Sequence, residues 1–227
     1  MCRVIRSNLQ LNLIILLILL PMPALAIPAI TCHCFSERSY QPSRPAAADP
    51  YFLATAQNSF FAVVFNVEKK NIVIKKQQGT SSDDLWIAYW VASGSGKSPE
   101  VLLGSRQNRE NWNEVIAPLH LPAKSLGTRF SKALSMKSTS GRLAEAVVDE
   151  LFIRYRLLRE AELAAIRQAG ASSQELIIAW LIASKTGQSA NQVYLEVKNG
   201  SETWGSLLQK AKIDPKDMQR EISVMLR

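Results

Sequence analysis

Apolar segments separated by short polar turns occur twice in the chain, and the second set repeats the first. A shift of 91 positions places Gly79 on Gly170, and most of the apolar positions that follow also coincide. After one inserted residue, Trp112 coincides with Trp204. Self-similarity of this extent indicates two copies of one structural unit of roughly 90 residues.

The first helix of the unit is clearest in the second copy. Residues 142–169 are rich in Ala, Leu, Glu and Arg without Gly or Pro, which predicts one long helix that Ser140 can cap. In the first copy, residues 60–74 taken alone are typical of a β-hairpin. Because the two copies should share one backbone, we predict a helix here as well, with Asp49 as its N-cap and Pro50 at its first position.

Each copy then continues in the same way. A glycine expected at positive φ ends the first helix, at Gly79 or Gly170. Eight consecutive apolar residues follow, at 85–92 and 176–183, and they predict a second helix that is buried on all sides. A third helix capped by a serine and a fourth that begins near a tryptophan complete the unit. The serines are Ser98 and Ser189, and the tryptophans are Trp112 and Trp204.

The sequence therefore predicts an all-α fold, with two tandem copies of a four-helix unit packed as a helical bundle after an extended N-terminal arm. The predicted segments are a signal peptide (1–26), the arm (27–48), repeat 1 (49–122), a linker (123–140) and repeat 2 (141–227). The linker is assigned on its Ser, Thr and Lys content, and the arm on its prolines.

The first 26 residues have the pattern of a secretory signal. Arg3 and Arg6 precede an apolar run at 11–20, and small residues at 24–26 provide a cleavage site before Ile27. We therefore expect an exported protein, periplasmic or otherwise extracytoplasmic, without a stable transmembrane span after cleavage. An uncleaved membrane anchor and a lipid attached to Cys32 remain as alternatives.

The net charge of +8 leaves the choice of partner open. A local cluster of lysines lies near the end of the first helix of copy one, but most of its positions are not basic in copy two. We therefore expect no nucleic-acid partner. The clustered residues are Lys69, Lys70, Lys75 and Lys76.

Cys32, His33 and Cys34 are the residues in the arm that are best suited to chemistry. Thiolates and imidazole are preferred ligands of zinc and copper, so the triplet is a candidate metal site. A tetrahedral site needs a further ligand, and His120 is the only other histidine. The two cysteines could instead form a disulfide, exchange with other thiols or pair with another protein. No other cofactor is expected.

Two other patterns favour ordinary structure. Gly96, Lys97 and Ser98 match the end of a phosphate-binding loop, but Gln188 replaces the lysine in copy two, so we interpret them as a turn between helices. Acidic residues on the predicted long helix alternate with arginines, as on a solvated face, and no Glu-x-x-His is present. These acids are Glu145, Asp149, Glu150, Glu160 and Glu162.

The aromatic residues of the buried helices are expected in the core, whereas Trp112 and Trp204 start short helices near the surface. Because both recur, they are the candidate binding surface. Residues 193–213, with Thr203-Trp204-Gly205, resemble a Trp-Gly helical pattern of exported bacterial proteins of unknown function. Copy one departs from this pattern at Asn113.

The resemblance implies no activity. We expect a non-enzymatic helical module that binds a protein or a cell-envelope partner. The alternative is a metal-binding or thiol-exchange protein that uses Cys32, His33 and Cys34.

Overall fold

A computed structural model of the protein describes residues 35–226, and every regular element in this range is a helix, which confirms the all-α fold. The first copy contains α1 (Asp49–Val64), α2 (Lys69–Gln77), α3 (Ser82–Ser95), α4 (Pro99–Gln107), α5 (Trp112–Ile116) and a short 3-10 turn (Ala117–Leu119). Then follow α6 (Ala123–Leu126) and α7 (Thr128–Ser135). The second copy contains α8 (Ser140–Arg154), α9 (Glu160–Gln168), α10 (Ser173–Thr186), α11 (Ala190–Lys198) and α12 (Trp204–Lys210), followed by α13 (Met218–Met225). Within 35–226, no helix has the length and apolar character that crossing a bilayer requires.

The first helix of each copy is divided in two, so the single long helix predicted for residues 142–169 is wrong. Asn66 follows α1 and Arg156 follows α8, and both adopt left-handed backbone with φ of 51° and 53°. In each turn the next residue, Val67 or Leu157, donates its N–H back to the last turn of the helix at 2.9 Å. Because Val67 and Leu157 then pack against the core, their burial offsets the strained conformation.

The part of the unit for which the sequence predicts four helices therefore contains five, α1–α5 in copy one and α8–α12 in copy two. The residues 60–74 that resemble a β-hairpin form the end of α1, a turn and the start of α2, which confirms the helical interpretation. The turn residues Asn66 and Arg156 are 90 positions apart, whereas Gly79 and Gly170 are 91 positions apart. The second copy thus has one extra residue in this turn.

α3 and α10 are the buried helices of the two copies, as predicted. Residues 85–91 and 176–183 are buried. The hydroxyl groups of Ser81 and Ser172 accept backbone hydrogen bonds and cap the two helices. These helices form the centre of the core.

The two copies exchange their first helices. α1 of copy one packs against α10 of copy two, and α8 of copy two packs against α3 of copy one. α7 in turn packs against α8, and α13 against α1. Each copy therefore completes the hydrophobic core of the other, and neither copy buries its apolar helix alone.

The linker predicted for residues 123–140 is instead a structured part of the fold. It contains α6 and α7, with Leu126 and Phe130 buried. Leu126 and Phe130 precede the buried Met218 and Ile222 of the second copy by 92 positions, the spacing that separates Trp112 from Trp204. α7 is thus the counterpart of α13, and the repeating unit continues to the end of α7.

Aromatic side chains join the two copies at the centre of the fold. The ring of Phe60 on α1 lies 5.5 Å from Phe152 on α8 and 5.8 Å from Trp180 on α10, measured between centroids. It also lies 6.3 Å from Trp86 on α3. Edge-to-face and tilted pairs of this kind add to the free energy of burial. The described residues consequently share one core.

Candidate functional site

The sequence-predicted Cys32, His33 and Cys34 lie outside the described residues, so the metal and disulfide hypotheses for them remain predictions. His120 is exposed in a left-handed turn after α5. Within residues 35–226, no group of three or more His, Cys, Asp and Glu residues is placed to hold a metal ion.

Trp112 and Trp204 do not form a binding surface. Their side chains are only 1% and 2% exposed, since each tryptophan points into the core from the first position of a short helix. Trp112 also donates its Nε1–H to Asp84 Oδ1 at 2.7 Å. The recurrence of tryptophan at this position is explained by packing.

Several carboxylates cap helices that are distant in the sequence. Glu150 on α8 accepts the N–H groups of Arg129 and Phe130 at the start of α7. Glu162 on α9 accepts the N–H of Ala190 at 2.8 Å, at the start of α11. These acids stabilise helix N-termini.

The three other acids of the predicted solvated face are also engaged. Asp149 lies on α8, where its side chain is mostly buried, and accepts two hydrogen bonds from Arg167 at 2.8 and 2.9 Å. Glu145 accepts a hydrogen bond from Arg142. Glu160 lies beside Arg129 at 3.6 Å. These acids therefore pair with arginines of the same chain, as charges that stabilise a fold do.

Asp49 caps a helix other than the one predicted. Ala48 occupies the N-cap position of α1, and the Asp49 carboxylate instead accepts the N–H groups of Trp204 and Gly205 at 3.2 and 2.9 Å. Burial raises the pKa of Asp49, although these two hydrogen bonds lower it. Likewise Thr139, and not Ser140, caps α8.

The arm packs across the start of α12 because Gly205 has no side chain. A Cβ atom at this position would lie 2.8 Å from Tyr40 Cδ2 of the arm and 2.9 Å from Phe52 Cε2 of α1. Such contacts are too close for carbon atoms without movement of the arm. In the Trp-Gly pattern, the ring of Trp204 is thus buried in the core, and the absence of a side chain at Gly205 lets residues 35–48 pack against the backbone of α12.

Two adjoining cavities lie where the arm crosses α1, and together we call them the arm groove. The α12 cavity, of about 450 Å³, is lined by Tyr40, Phe52, Gly205, Leu208, Ile213 and Asp214, among others. The α2 cavity, of about 420 Å³, is lined by Phe35, Ala54, Thr55, Asn58, Lys69 and Val73, among others. Arg38, Tyr51, Pro215 and Lys216 line both cavities, so the two lie side by side. A largely apolar groove of this size with a few charged groups is typical of a ligand site.

A separate cavity of about 300 Å³ lies between the two copies, and its lining includes Gln57, Asp83 and Gln174. Gln174 donates to Gln57 at 3.0 Å and so joins α10 to α1. Beside it, Lys76 donates to Asn58 Oδ1 at 2.6 Å, and burial lowers the pKa of Lys76 to about 8, partly opposed by the charge of Asp83. This polar cluster connects the copies, and through Asn58 it reaches the lining of the α2 cavity.

Copy one has a cavity at the place that corresponds to the α12 cavity. It has a volume of about 330 Å³, and Asn113 and Leu121 in its lining match Gly205 and Ile213. Neither arm residues nor a lysine or arginine line it among the described residues. The duplication therefore supplies two related cavities. The arm and the cationic side chains line the one in copy two, the α12 cavity.

No protein-family model matches this sequence, and comparison with curated proteins and with solved structures finds no significant match.

Proposed function

We propose that the protein is an exported, non-enzymatic helical module that binds a protein or a component of the cell envelope in its arm groove. The observation that carries this proposal is the groove itself, which joins two cavities of about 450 and 420 Å³ beneath the arm. Apolar walls with a small number of charged groups are suited to binding. The signal-like first 26 residues support an extracytoplasmic location.

The engagement of the acidic side chains supports a binding role over catalysis. Asp49, Glu150 and Glu162 cap helices, and Asp149 pairs with Arg167. General acid–base catalysis needs groups that face a substrate with a suitable pKa. The charged side chains that line the arm groove are mostly cationic and are suited to binding a ligand with a negatively charged group.

Photo-crosslinking in the cells that produce the protein tests this role. Benzoylphenylalanine at position 51, on the wall shared by both cavities, is expected to form a defined adduct with one envelope component. The matched control carries the same group at Met136, which is 69% exposed and does not line the groove. Equal adducts from both positions, or none from position 51, would contradict the proposal.

Metal binding or thiol exchange by Cys32, His33 and Cys34 is the second candidate. It is favoured by one observation, that Cys34 directly precedes Phe35, which lines the α2 cavity. Native mass spectrometry of the exported protein, purified without reductant, tests it. Bound zinc or copper, or a mixed disulfide lost on Cys32→Ser, would support this candidate, and free thiols without metal would exclude it.

A further inference from the structure

The walls of the arm groove carry more positive than negative charge. Arg38 and Lys216 lie on the wall common to both cavities, and Lys69 lines the α2 cavity. Asp214 lines the α12 cavity and accepts the backbone N–H of Lys216 at 2.8 Å. Among the described residues, no acidic side chain lines the α2 cavity. This imbalance favours an anionic ligand.

Lys69 is a partly buried ammonium group without a counterion in the described part of the chain. Its hydrogen bond is to the hydroxyl of Ser59, at 3.4 Å. Burial lowers the pKa of Lys69, and no acid opposes that shift. An anion bound in the α2 cavity would supply the missing charge.

Asn58 adds a neutral donor to the same cavity. Its Oδ1 accepts from Lys76, and because an ammonium group can only donate, the amide is oriented with Nδ2 as its remaining polar atom. Asn58 is 9% exposed and lines the α2 cavity, and its Nδ2 makes no hydrogen bond within residues 35–226. Lys69, which carries an ammonium group, and Asn58, which carries an amide donor, thus line the same cavity.

Apolar side chains lie on both sides of Tyr51. Ala54 and Val73 line the α2 cavity, and Leu208 and Ile213 line the α12 cavity. A ligand that reaches from Lys69 past Tyr51 therefore contacts apolar side chains in both cavities, beside Arg38 and Lys216 on the shared wall.

Resting on the binding role proposed above, we propose that the arm groove takes a single-chain carboxylate amphiphile of the fatty-acid class. The carboxylate accepts hydrogen bonds from Lys69 and Asn58, and the apolar chain lies along Tyr51 toward the α12 cavity. Charge-assisted hydrogen bonds fix the head group, and burial of methylene groups supplies affinity. The vesicle experiment described below distinguishes this free amphiphile from a lipid within a bilayer.

Isothermal titration of the exported protein with sodium decanoate, below its micelle-forming concentration, tests this proposal. We expect saturable binding that is at least about tenfold tighter than that of decyltrimethylammonium, since the cations repel the latter. Lys69→Met should weaken decanoate binding by on the order of tenfold. Lys70→Met is the matched control, because Lys70 is exposed on the same helix and does not line the groove, and it should retain the affinity within about twofold.

A second variant protects the test against a folding defect at Lys69. Ala54→Trp fills the α2 cavity but leaves every charge in place, and it should also abolish decanoate binding while the thermal transition persists. Absence of decanoate binding to the wild-type protein, equal binding of the cationic amphiphile, or equal losses in Lys69→Met and Lys70→Met would overturn the proposal.

Vesicles of phosphatidylcholine with phosphatidylglycerol distinguish the other source of an anionic head group. Lys69-dependent binding to these vesicles without binding of decanoate would also overturn it. A specific adduct from position 51 in the photo-crosslinking experiment would then show that the binding role survives with a different ligand. Loss of both the adduct and decanoate binding would remove the role itself.

Discussion

The carboxylate of Asp49 accepts the backbone N–H of Gly205 at 2.9 Å, although the two residues are 156 positions apart. Asp49 begins α1 of the first copy and Gly205 lies in the first turn of α12 of the second. The same contact region holds the arm and the α12 cavity. Helix capping, packing of the arm and the candidate site therefore depend on one another.

Asp49→Ala should lower the free energy of unfolding by about 1–2 kcal/mol, because it leaves two N–H groups of α12 without an acceptor. Chemical denaturation at pH 7 measures this change. Asp217→Ala is the control, since Asp217 makes no side-chain cap and should change stability by less than about 0.5 kcal/mol. Equal effects of the two substitutions would show that the cap is unimportant.

Gly205→Ala should destabilise the packing of the arm by about 1–3 kcal/mol, since the new Cβ would collide with Tyr40 and Phe52. Limited proteolysis within residues 35–48 should become faster. The matched variant is Gly104→Ala on α4, where no atom lies within 4 Å of the new Cβ and helix propensity should raise stability by about 0.5–1 kcal/mol. Wild-type proteolysis rates in Gly205→Ala would contradict this packing.

The free energy of unfolding should depend on pH through the partly desolvated Lys76. Burial lowers its pKa from 10.5 to about 8 in the folded protein, so between pH 8 and 10 the unfolded state binds more protons than the folded state. The contribution of Lys76 to the free energy of unfolding should then rise with pH across this range, and below pH 8 the full cost of burying its charge remains.

The measurement for Lys76 is the stability of the wild type minus that of Lys76→Met, obtained by denaturation at pH 7, 8, 9 and 10. This difference should increase by about 1–3 kcal/mol from pH 8 to pH 10. Lys70→Met provides the control for loss of an exposed charge on α2. A difference that stays flat or falls with pH would show that Lys76 is not desolvated.

Phe60→Ala should cost about 3–5 kcal/mol, because the ring is fully buried between helices of both copies. Since the copies share one core, the fluorescence of the tryptophans and the far-ultraviolet circular dichroism should change in one transition with a common midpoint. Two separate transitions would indicate that the copies fold independently, contrary to the exchange of their first helices.

The local features of the fold could be predicted from the sequence. The turns at Gly79 and Gly170 and the serine caps of α4 and α11 depend only on neighbouring residues. The apolar segments that follow the two glycines identify the buried helices. The breaks at Asn66 and Arg156 could not be predicted, because neither residue is Gly or Pro and the turns are stabilised by burial of the residues that follow. The exchange of helices is a tertiary property with no local pattern.

Less of the candidate site than of the fold could be predicted from the sequence. Arg38, Tyr51, Lys69 and Lys216 come from the arm, α1, α2 and the segment before α13, with no common spacing. The one useful signal was the Trp-Gly pattern, since Gly205 lines the α12 cavity. The prediction that Trp204 itself forms a binding surface is wrong, because its ring is buried and the neighbouring Gly205 lines the α12 cavity.

Crosslinking from position 51 in the Gly205→Ala and Gly104→Ala backgrounds tests whether the arm packed on Gly205 forms the binding site. The amount of adduct per folded protein is the quantity to measure in producing cells. Gly205→Ala should lose most of the adduct, because the arm is displaced, and Gly104→Ala should retain it. Equal amounts of adduct in both backgrounds would show that the arm on Gly205 does not form the binding site.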